Sequence, residues 1–596
     1  MDLREKVRKV EWRELVLDRY FLALAALTVF SAVIRFKYAF FQGMWVDEGR
    51  YSRIGIEVAS HLLDYSVVWL GDITAYPPLY PYLISISSLI FGKTEFAVRI
   101  VTPLISTLGV PVTYLLGREM KNRKVGLAAA ALLSVNFLYW FLSTRILVGA
   151  TLTVIYTAAV FALYYGMEDK KYSRYALWAL GPITALAVLT KQPAYTLGLL
   201  VPGYFLYRKR DEIMELVRER DLRSSRFYRD TLTDRDYYIG AGLGVITLAP
   251  WLVRNLTTCG SILCGTSRAI HFAVAKSQPA WESTGGPFYY FFNMPAIITP
   301  YAAALLAGVV AYYAFRAWNS SPDLVVKKTV AALAVNALAY FTLPRLIPGL
   351  LLASVMLYAP NREEKLLWGW IALGIGIMSI PDIKVNRYIV FTIPALLTVL
   401  SINFYRLSGT LASFKGFSDY DREKTVAALM VVLVAPVLAL SFAQGVSQLG
   451  HHSFKKIEPA GEWIDAHVPE DQNIAASSPA ASRFYVYPRM AYRLPENQSD
   501  FKQFILENDI HYVEIDVYER AQPYWAQTGL PPYRLPVKTV QALRQGQISP
   551  QKVVKSYGRI PDYLIPVKSF GRTTVPLTDS KQPKLIIYRV NRSSLR

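Results

Sequence analysis

An Asp-Glu pair, Asp47 and Glu48, directly follows the first long apolar run of the chain. Acidic side chains at the end of a membrane-spanning helix are costly to desolvate, so they usually mark a functional surface. A carboxylate in this position can remove a proton from a hydroxyl group within its reach. The alternative is a helix cap or an ion pair with the neighbouring Arg50 or Arg53. We expect the pair to lie at the water-facing mouth of a membrane-embedded active site.

Several cations are further candidates for chemistry. They lie in short segments that the expected topology puts on the outer side of the membrane, where positive charge is otherwise sparse. These residues are Arg145, Lys191, Arg254, Lys384 and Arg387, and Tyr388 follows the last of them. An anionic ligand such as a phosphate would account for them, since Arg offers a bidentate donor group to phosphate oxygens. The alternative is that each charged end reaches the headgroups of the outer leaflet.

Segment 71–82 holds two adjacent prolines, with Asp72 and Tyr76 before them. Adjacent prolines stiffen an extended backbone, and Tyr side chains favour the membrane interface. We interpret the segment as a substrate loop against the same mouth, with a plain structural turn as the alternative. Two further candidates for the substrate-loop surface are Arg145 and Arg268, the second of which lies in the long outer loop after the seventh apolar run.

The elements that position these residues are apolar. The chain has 596 residues, of which 53% are hydrophobic and 18% charged. By the usual length criterion about thirteen runs could span a bilayer. Their approximate bounds are 20–40, 98–117, 125–141, 149–166, 176–190, 194–207, 238–256, 294–315, 329–343, 346–360, 366–380, 388–405 and 425–446. We read the first run as a retained helix, because it lacks a small-residue cleavage site.

The positive charge lies between these runs. The net charge is +21, and Lys and Arg concentrate in the N-terminal segment and in alternate loops such as 118–124 and 208–235. This distribution is typical of short loops facing an anionic leaflet, and it argues against a nucleic-acid groove. We therefore expect a cytoplasmic N-terminus and no nucleic-acid partner. The outer loops are then 41–97, 142–148, 190–193, 257–293 and 381–387.

The composition changes after residue 446. Helical patterns near residues 460–464 and 501–507 alternate with strand-like segments 511–517 and 584–590. We predict a membrane domain at 1–446 and an extracytoplasmic α/β domain at 447–596. The two cysteines, Cys259 and Cys264, fit either a small disulfide or two unpaired thiols, and they are too few for a structural zinc site.

A set of short motifs, in order along the chain, resembles the GT-C fold glycosyltransferases of the protein O-mannosyltransferase and aminoarabinose-transferase (ArnT-like) type. The motifs are Asp47-Glu48 with Tyr51, Pro77-Pro78-Leu79-Tyr80, Phe96-Ala97-Val98-Arg99, Gly126-Leu127-Ala128-Ala129-Ala130, Lys191, Pro250-Trp251 with Arg254-Asn255, Arg387-Tyr388 and Pro394. The resemblance implies transfer of a sugar from a polyprenyl-phosphate carrier to a protein, lipid or glycan acceptor on the outer side. It also implies inversion at the anomeric carbon.

The resemblance assigns roles to individual residues. It implies that Asp47 lies at the acceptor and the anomeric centre, with Glu48 supporting it. It implies that the lipid phosphate lies near a set of residues that includes Lys384, Arg387, Tyr388, Arg254 and Lys191. Many relatives carry a second acid after the arginine that corresponds to Arg145, whereas segment 146–151 has none. We therefore expect Asp47 to act as a base, and we predict no metal ligand and no certain cofactor. A divalent metal is the alternative, but no second acid supports it.

Three other functions fit parts of the pattern. An oligosaccharyltransferase is disfavoured because the C-terminal region has no WWDYG-like motif. A transporter or flippase of a lipid-linked sugar would favour internal repeats and a charged site at the midplane. The polar candidates of this chain cluster at the outer helix ends instead. A catalytically inactive GT-C homologue also fits the missing second acid.

Overall fold

The structure is a computed structural model. It describes residues 18–60, 77–168, 170–219, 231, 233–262, 286–414, 416, 420–449, 455–495, 497–516, 545–547, 560–574 and 581–595. Three predicted site residues, Asp72, Tyr76 and Arg268, lie outside the described residues, as does Cys264 of the predicted cysteine pair.

Helices dominate the first three quarters of the chain. Polar side chains cap the N-terminal ends of several of these helices. For example, the Asp18 carboxylate accepts a hydrogen bond from the Tyr20 N–H at 2.8 Å at the start of the first helix. The helices up to residue 449 are Arg19–Ala39 (α1), Val46–Ser60 (α2), Leu79–Phe91 (α3), Glu95–Arg99 (α4), Val101–Thr107 (α5), Gly109–Met120 (α6), Arg123–Val135 (α7), Phe137–Ser143 (α8), Val148–Gly166 (α9), Ser173–Val188 (α10), Leu197–Arg208 (α11), Arg210–Glu219 (α12), Arg235–Cys259 (α13), Tyr289–Phe292 (α14), Met294–Ile298 (α15), Pro300–Ser320 (α16), Pro322–Thr342 (α17), Ile347–Val355 (α18), Arg362–Met378 (α19), Ile393–Leu411 (α20) and Arg422–Leu449 (α21). Short 3₁₀ helices occupy Gln192–Thr196, Pro344–Leu346 and Asn386–Thr392.

The chain is a polytopic helical membrane protein. All the apolar runs expected from the sequence overlap described helices. Among the described residues, eight helices are long and apolar enough to cross a membrane, or nine if α7 and α8, bent by 60°, form one span. The expected count of about thirteen is thus not confirmed, because several runs fold into helices shorter than a bilayer requires.

Segment 41–97, which the sequence predicts as an outer loop, contains helices. Helices α2 and α3 occupy much of its described part, and they pack together through the edge-to-face pair Tyr51 and Tyr80, whose ring centroids are 5.3 Å apart. Helix α3 is too short to span a membrane. The acidic pair therefore lies in the first turn of a helix, which limits the directions in which the two carboxylates can point.

Close helix contacts bring the functional loops together. The carbonyl oxygen of Gly240 in α13 lies 1.8 Å from where a Cβ on Gly181 of α10 would stand. Glycine at this crossing allows the two backbones to touch. Helix α10 leads directly to Lys191, and α13 carries Arg254, so this contact joins the helices next to two of the candidate cations.

The core of the helical part lies around α9, α19 and α20. The rings of Tyr156 and Trp370 stack with centroids 5.0 Å apart, and Phe391 packs on Tyr156 at the same distance. These three side chains are fully buried. They join α9 and α19 to the 3₁₀ helix that carries Arg387, so the core supports one wall of the candidate site.

The C-terminal region is a small α/β unit, as predicted. The α-helices and strands among its described residues are Ile457–His467 (α22), Asn473–Ala476 (β1), Pro479–Tyr485 (α23), Ala491–Arg493 (β2), Phe501–Glu507 (α24), Ile510–Asp516 (β3), Leu564–Thr574 (β4) and Lys581–Val590 (β5). The five strands have the order β2-β1-β3-β5-β4. Strands β1, β2 and β3 are parallel, whereas β5 is antiparallel to both β3 and β4.

Both predicted strands and the predicted helix at 501–507 are confirmed. The predicted domain boundary at 446/447 falls in the last turn of α21. It remains a prediction, because a boundary depends on independent folding rather than on where a helix ends.

Two buried acids, Glu514 and Asp516, lie two residues apart on β3 and so share one face of the strand. The Ser482 hydroxyl donates to Glu514 Oε1 at 2.9 Å. Burial, together with the neighbouring carboxylate of Asp516, raises the pKa of Glu514 to about 8. Between its ordinary pKa and about pH 8, Glu514 therefore keeps a proton in the folded unit that it releases in the unfolded chain.

We expect this proton to make stability depend on pH. The contribution of Glu514 is fully present below its ordinary pKa and is lost as the pH rises through about 8. The variant Glu514→Gln stays neutral, so it should lose less stability than the wild-type protein between pH 6 and pH 9. Stability is measured as the thermal unfolding midpoint of the purified full chain. The exposed Glu507→Gln is the matched control. Equal pH dependence in the two variants would contradict the assignment.

Candidate active site

Glu48 is completely buried at the start of α2. Its Oε2 accepts the Trp45 N–H at 2.8 Å and an Arg145 Nη1 donor at 2.9 Å. Its Oε1 accepts the Ile146 N–H at 2.9 Å and lies 3.6 Å from Arg99 Nη1. Each oxygen therefore has donors within the protein. Glu48 ties α2 to α4 and to the turn at residue 145, and this holds the preceding residue in place.

Asp47 points into a more open space. Its Oδ2 accepts a hydrogen bond from Arg387 Nη1 at 2.7 Å. The Asp47 side chain is 36% exposed and that of Arg387 is 24% exposed. The Arg387 guanidinium lies 5.0 Å from the ring centroid of Trp45 and 5.8 Å from that of Tyr388. The geometry leaves one carboxylate accessible, next to a cation held by two aromatic rings.

Lys191 lies beside this pair. Its Nζ is 5.4 Å from the ring centroid of Tyr388. Burial and the nearby Arg387 lower the pKa of Lys191 to about 8, although Asp47 opposes the shift. The group of Asp47, Arg387 and Lys191 therefore carries two cations and one carboxylate. A desolvated excess of positive charge favours an anionic ligand.

The structure brings together Asp47, Lys191 and the adjacent residues Arg387 and Tyr388, which come from three distant parts of the sequence. It places Arg145 at Glu48 instead, where the arginine balances a buried charge. Arg145 therefore has a structural role at Glu48, and this role competes with its predicted place in a substrate loop.

Two other predicted cations have contacts of their own. Lys384 Nζ donates to the carbonyl oxygen of Pro381 at 2.7 Å, within its own turn. The Arg254 guanidinium lies 4.4 Å from the ring centroid of Trp251, and its Nη1 donates to Asn255 Oδ1 at 2.9 Å. Contact of Lys384 or Arg254 with a lipid phosphate stays a prediction.

Three residues of the site were not assigned a role from the sequence. Trp45 supports Arg387, and Arg99 joins the cations around Glu48. Glu95 pairs with Arg99 one helical turn away. The spacing of Glu95 and Arg99 is a readable signal for a helix-surface ion pair. It contains no information that the arginine also reaches Glu48.

The chain shares local sequence similarity with known proteins. Residues 75–216 match the profile of a family described as dolichyl-phosphate-mannose-protein mannosyltransferase. A curated relative is undecaprenyl phosphate-alpha-4-amino-4-deoxy-L-arabinose arabinosyl transferase 2 of Proteus mirabilis (strain HI4320). It is 31% identical over 150 residues, which are 24% of this chain and 27% of that protein. An uncharacterised protein of Aquifex aeolicus (strain VF5) is 27% identical over 146 residues, 24% of this chain and 28% of its own length.

Similarity in structure extends much further. ArnT from Cupriavidus metallidurans, solved with bound undecaprenyl phosphate, has a TM-score of 0.51 at 15% identity, with coverage of 96% of this chain and 98% of ArnT. The chain has a GT-C fold. The oligosaccharyltransferase AglB from Archaeoglobus fulgidus, solved with an inhibitory peptide and a dolichol-phosphate, has a TM-score of 0.52 at 14% identity. Its coverage is 83% of this chain and 69% of AglB.

A metal site in this GT-C fold would need several carboxylate or imidazole ligands around one point. Among the residues that the structure describes, no group of three or more His, Cys, Asp or Glu side chains could hold a metal ion. Glu48 receives N–H donors on both oxygens, and Asp47 contacts a guanidinium. These two acids do not fit a shared metal.

We expect Glu48→Gln to destabilise the protein strongly. Removal of the carboxylate charge leaves Arg145 and Arg99 buried without this partner, and breaking a buried ion pair costs about 3–5 kcal/mol. The matched control is Glu423→Gln, because Glu423 is 71% exposed and pairs with Lys124 at the surface. Loss of this surface ion pair should cost about 0–1 kcal/mol.

The measurement is unfolding of the purified protein in a titration with sodium dodecyl sulfate. If Glu48→Gln unfolded at the same detergent fraction as Glu423→Gln, the Glu48 carboxylate would not be what holds α2 to α4 and to the turn at residue 145.

Proposed function

We propose that this protein is a membrane glycosyltransferase that moves a hexose or a pentose from a polyprenyl phosphate to an acceptor. The observation that carries the proposal is the open Asp47 carboxylate in contact with Arg387, with Lys191 alongside. A base and an excess of positive charge at one point suit attack by a hydroxyl and departure of a phosphate.

The acceptor side of the reaction uses Asp47. Its carboxylate takes the proton of the acceptor hydroxyl while the oxygen forms a bond to the anomeric carbon. The bond from that carbon to the phosphate oxygen breaks, and its electron pair leaves with the polyprenyl phosphate. The transition state resembles an oxocarbenium ion, as in glycoside hydrolysis. Attack opposite the leaving group inverts the anomeric carbon. Glu48 supports the reaction indirectly, because it holds the first turn of α2 in place.

The donor side uses the cations. Arg387 keeps further N–H donors beyond the one that it gives to Asp47, and a guanidinium fits phosphate oxygens in bidentate geometry. Lys191 has lost much of its hydration, so an anionic phosphate would restore favourable interactions for its charge. We propose that Tyr388, Lys384 and Arg254 complete the phosphate surface. The ligands bound in the solved structures of ArnT and AglB, undecaprenyl phosphate and dolichol-phosphate, support a donor of this class.

The acceptor is a protein, a lipid or a glycan on the extracytoplasmic side. Helix α23 of the C-terminal unit packs against α2. This contact supports a location of the unit and of Asp47 on the same side of the membrane. We propose that 1–446 forms the catalytic membrane domain, with a cytoplasmic N-terminus, and that 447–596 forms the outer domain. Asp72, Tyr76 and Arg268 are proposed to contact the acceptor or the sugar.

The test of this proposal is Asp47→Asn. Loss of the base should lower the rate of sugar transfer by about 10²–10⁴-fold, while the protein still inserts and folds. Purified protein is assayed with hexose-linked and pentose-linked polyprenyl phosphates and a panel of acceptors. The matched control is Asp323→Asn in the first turn of α17. Full activity of Asp47→Asn would refute the role of this carboxylate.

A second prediction concerns the donor. Arg387→Ala should weaken binding of undecaprenyl phosphate or dolichyl phosphate about 10-fold or more, because a charge-assisted hydrogen bond is lost. Affinity is measured by thermophoresis in detergent. Arg123→Ala serves as the control, since Arg123 is 54% exposed and pairs with Asp18. Equal affinities of the two variants for the polyprenyl phosphate would show that Arg387 does not bind the phosphate.

A further inference from the structure

The C-terminal α/β unit touches the helix of the catalytic motif at backbone distance. A Cβ on Gly49 would stand 2.2 Å from the carbonyl oxygen of Ala480 and 2.5 Å from the Cα of Ala481. Any side chain at Gly49 would therefore require the backbone of α2 or α23 to move. The residue after the acidic pair is in contact with the outer unit.

Apolar packing surrounds this contact. Phe484 of α23 belongs to a cluster with Met44, Ile56 and Tyr80 from the membrane part of the chain. Phe484 is 9% exposed. The outer unit thus inserts a side chain between α2 and α3, and the two parts of the chain share a core at this point.

A polar path runs from this contact to the site. The Tyr485 hydroxyl donates to Glu95 Oε2 at 2.9 Å. The other oxygen of Glu95 accepts a hydrogen bond from Arg99 Nε. Arg99 is almost completely buried, and its Nη1 lies 3.6 Å from Glu48 Oε1. Three successive contacts therefore join a tyrosine of the outer unit to the carboxylate that holds the first turn of α2.

A second residue of the outer unit also faces this path. Glu458 of α22 lies beside Glu95, and burial together with that carboxylate raises the pKa of Glu458 to about 6. Helices α22 and α23 therefore converge on Glu95. Buried polar networks whose members are hydrogen-bonded restrict the geometry of every member, because each lost bond is costly in a low dielectric.

We infer that the outer unit positions the catalytic carboxylate through the path Tyr485, Glu95, Arg99 and Glu48. Tyr485 is a positioning residue in this scheme, since it acts on Asp47 only through other side chains. The inference rests on the proposed sugar transfer for its effect on rate. The linkage between Tyr485 and α2 can be measured without that reaction.

The path predicts a particular kinetic signature. The Tyr485 hydroxyl contacts Glu95, whereas Arg387 of the phosphate surface contacts Asp47. Loss of the hydroxyl should loosen the geometry of Asp47 and leave donor binding intact. The kcat value should fall about 10-fold, as expected for one hydrogen bond to a charged group, while KM for the donor changes little.

The experiment compares Tyr485→Phe with Tyr563→Phe in the purified full chain. Tyr563 is a partly buried tyrosine of the same unit, and its ring packs against Phe501. Tyr485→Phe should lower kcat and increase hydrogen exchange of the backbone amides in α2, and Tyr563→Phe should do neither. Adding Glu95→Gln should lower kcat less in the Tyr485→Phe background than in the Tyr563→Phe background, because the path is already broken.

The outcomes separate the two proposals. If wild-type protein transfers sugar and Tyr485→Phe retains the wild-type kcat, the positioning role is wrong whatever the exchange shows. If wild-type protein transfers none of the sugars tested, the proposed function fails. Exchange in α2 then decides the linkage by itself: an increase in Tyr485→Phe alone supports it, and equal exchange in both variants overturns it.

Discussion

The site depends on one carboxylate that has no access to water. Glu48 is buried at the first turn of α2, where an ionised group is tolerated only if charges and N–H donors surround it. Arg99, Arg145 and the Ile146 N–H supply them from two other segments. Because each donor must meet the same two oxygens, these segments and α2 have little freedom to move relative to one another.

Asp47 benefits from this constraint. Adjacent residues in a helical turn point in directions about 100° apart, so fixing Glu48 inward directs Asp47 toward the more open side. There the carboxylate meets Arg387, which is held in turn by Trp45 and Tyr388. The acidic pair thus divides into a buried structural acid and an accessible one. The two environments suit different roles, as is common where two carboxylates are neighbours in an active site.

Charge balance distinguishes the two halves of the site. Around Glu48, the two arginines are offset by Glu48 itself and by Glu95. Among the described residues around Asp47, Arg387 and Lys191 outnumber the one acid. The first arrangement is complete within the protein, whereas the second calls for an anionic partner.

The sequence by itself determined the apolar runs, the α/β character of the tail and an acidic pair that follows the first apolar run. These features follow from hydropathy, from residue alternation and from the cost of desolvating an acid. The tertiary structure alone decided which acid is buried, which cation contacts Asp47 and that Tyr485 reaches the network. Partners 340 residues apart, such as Asp47 and Arg387, meet only through helix packing, which leaves no periodic signal in the sequence.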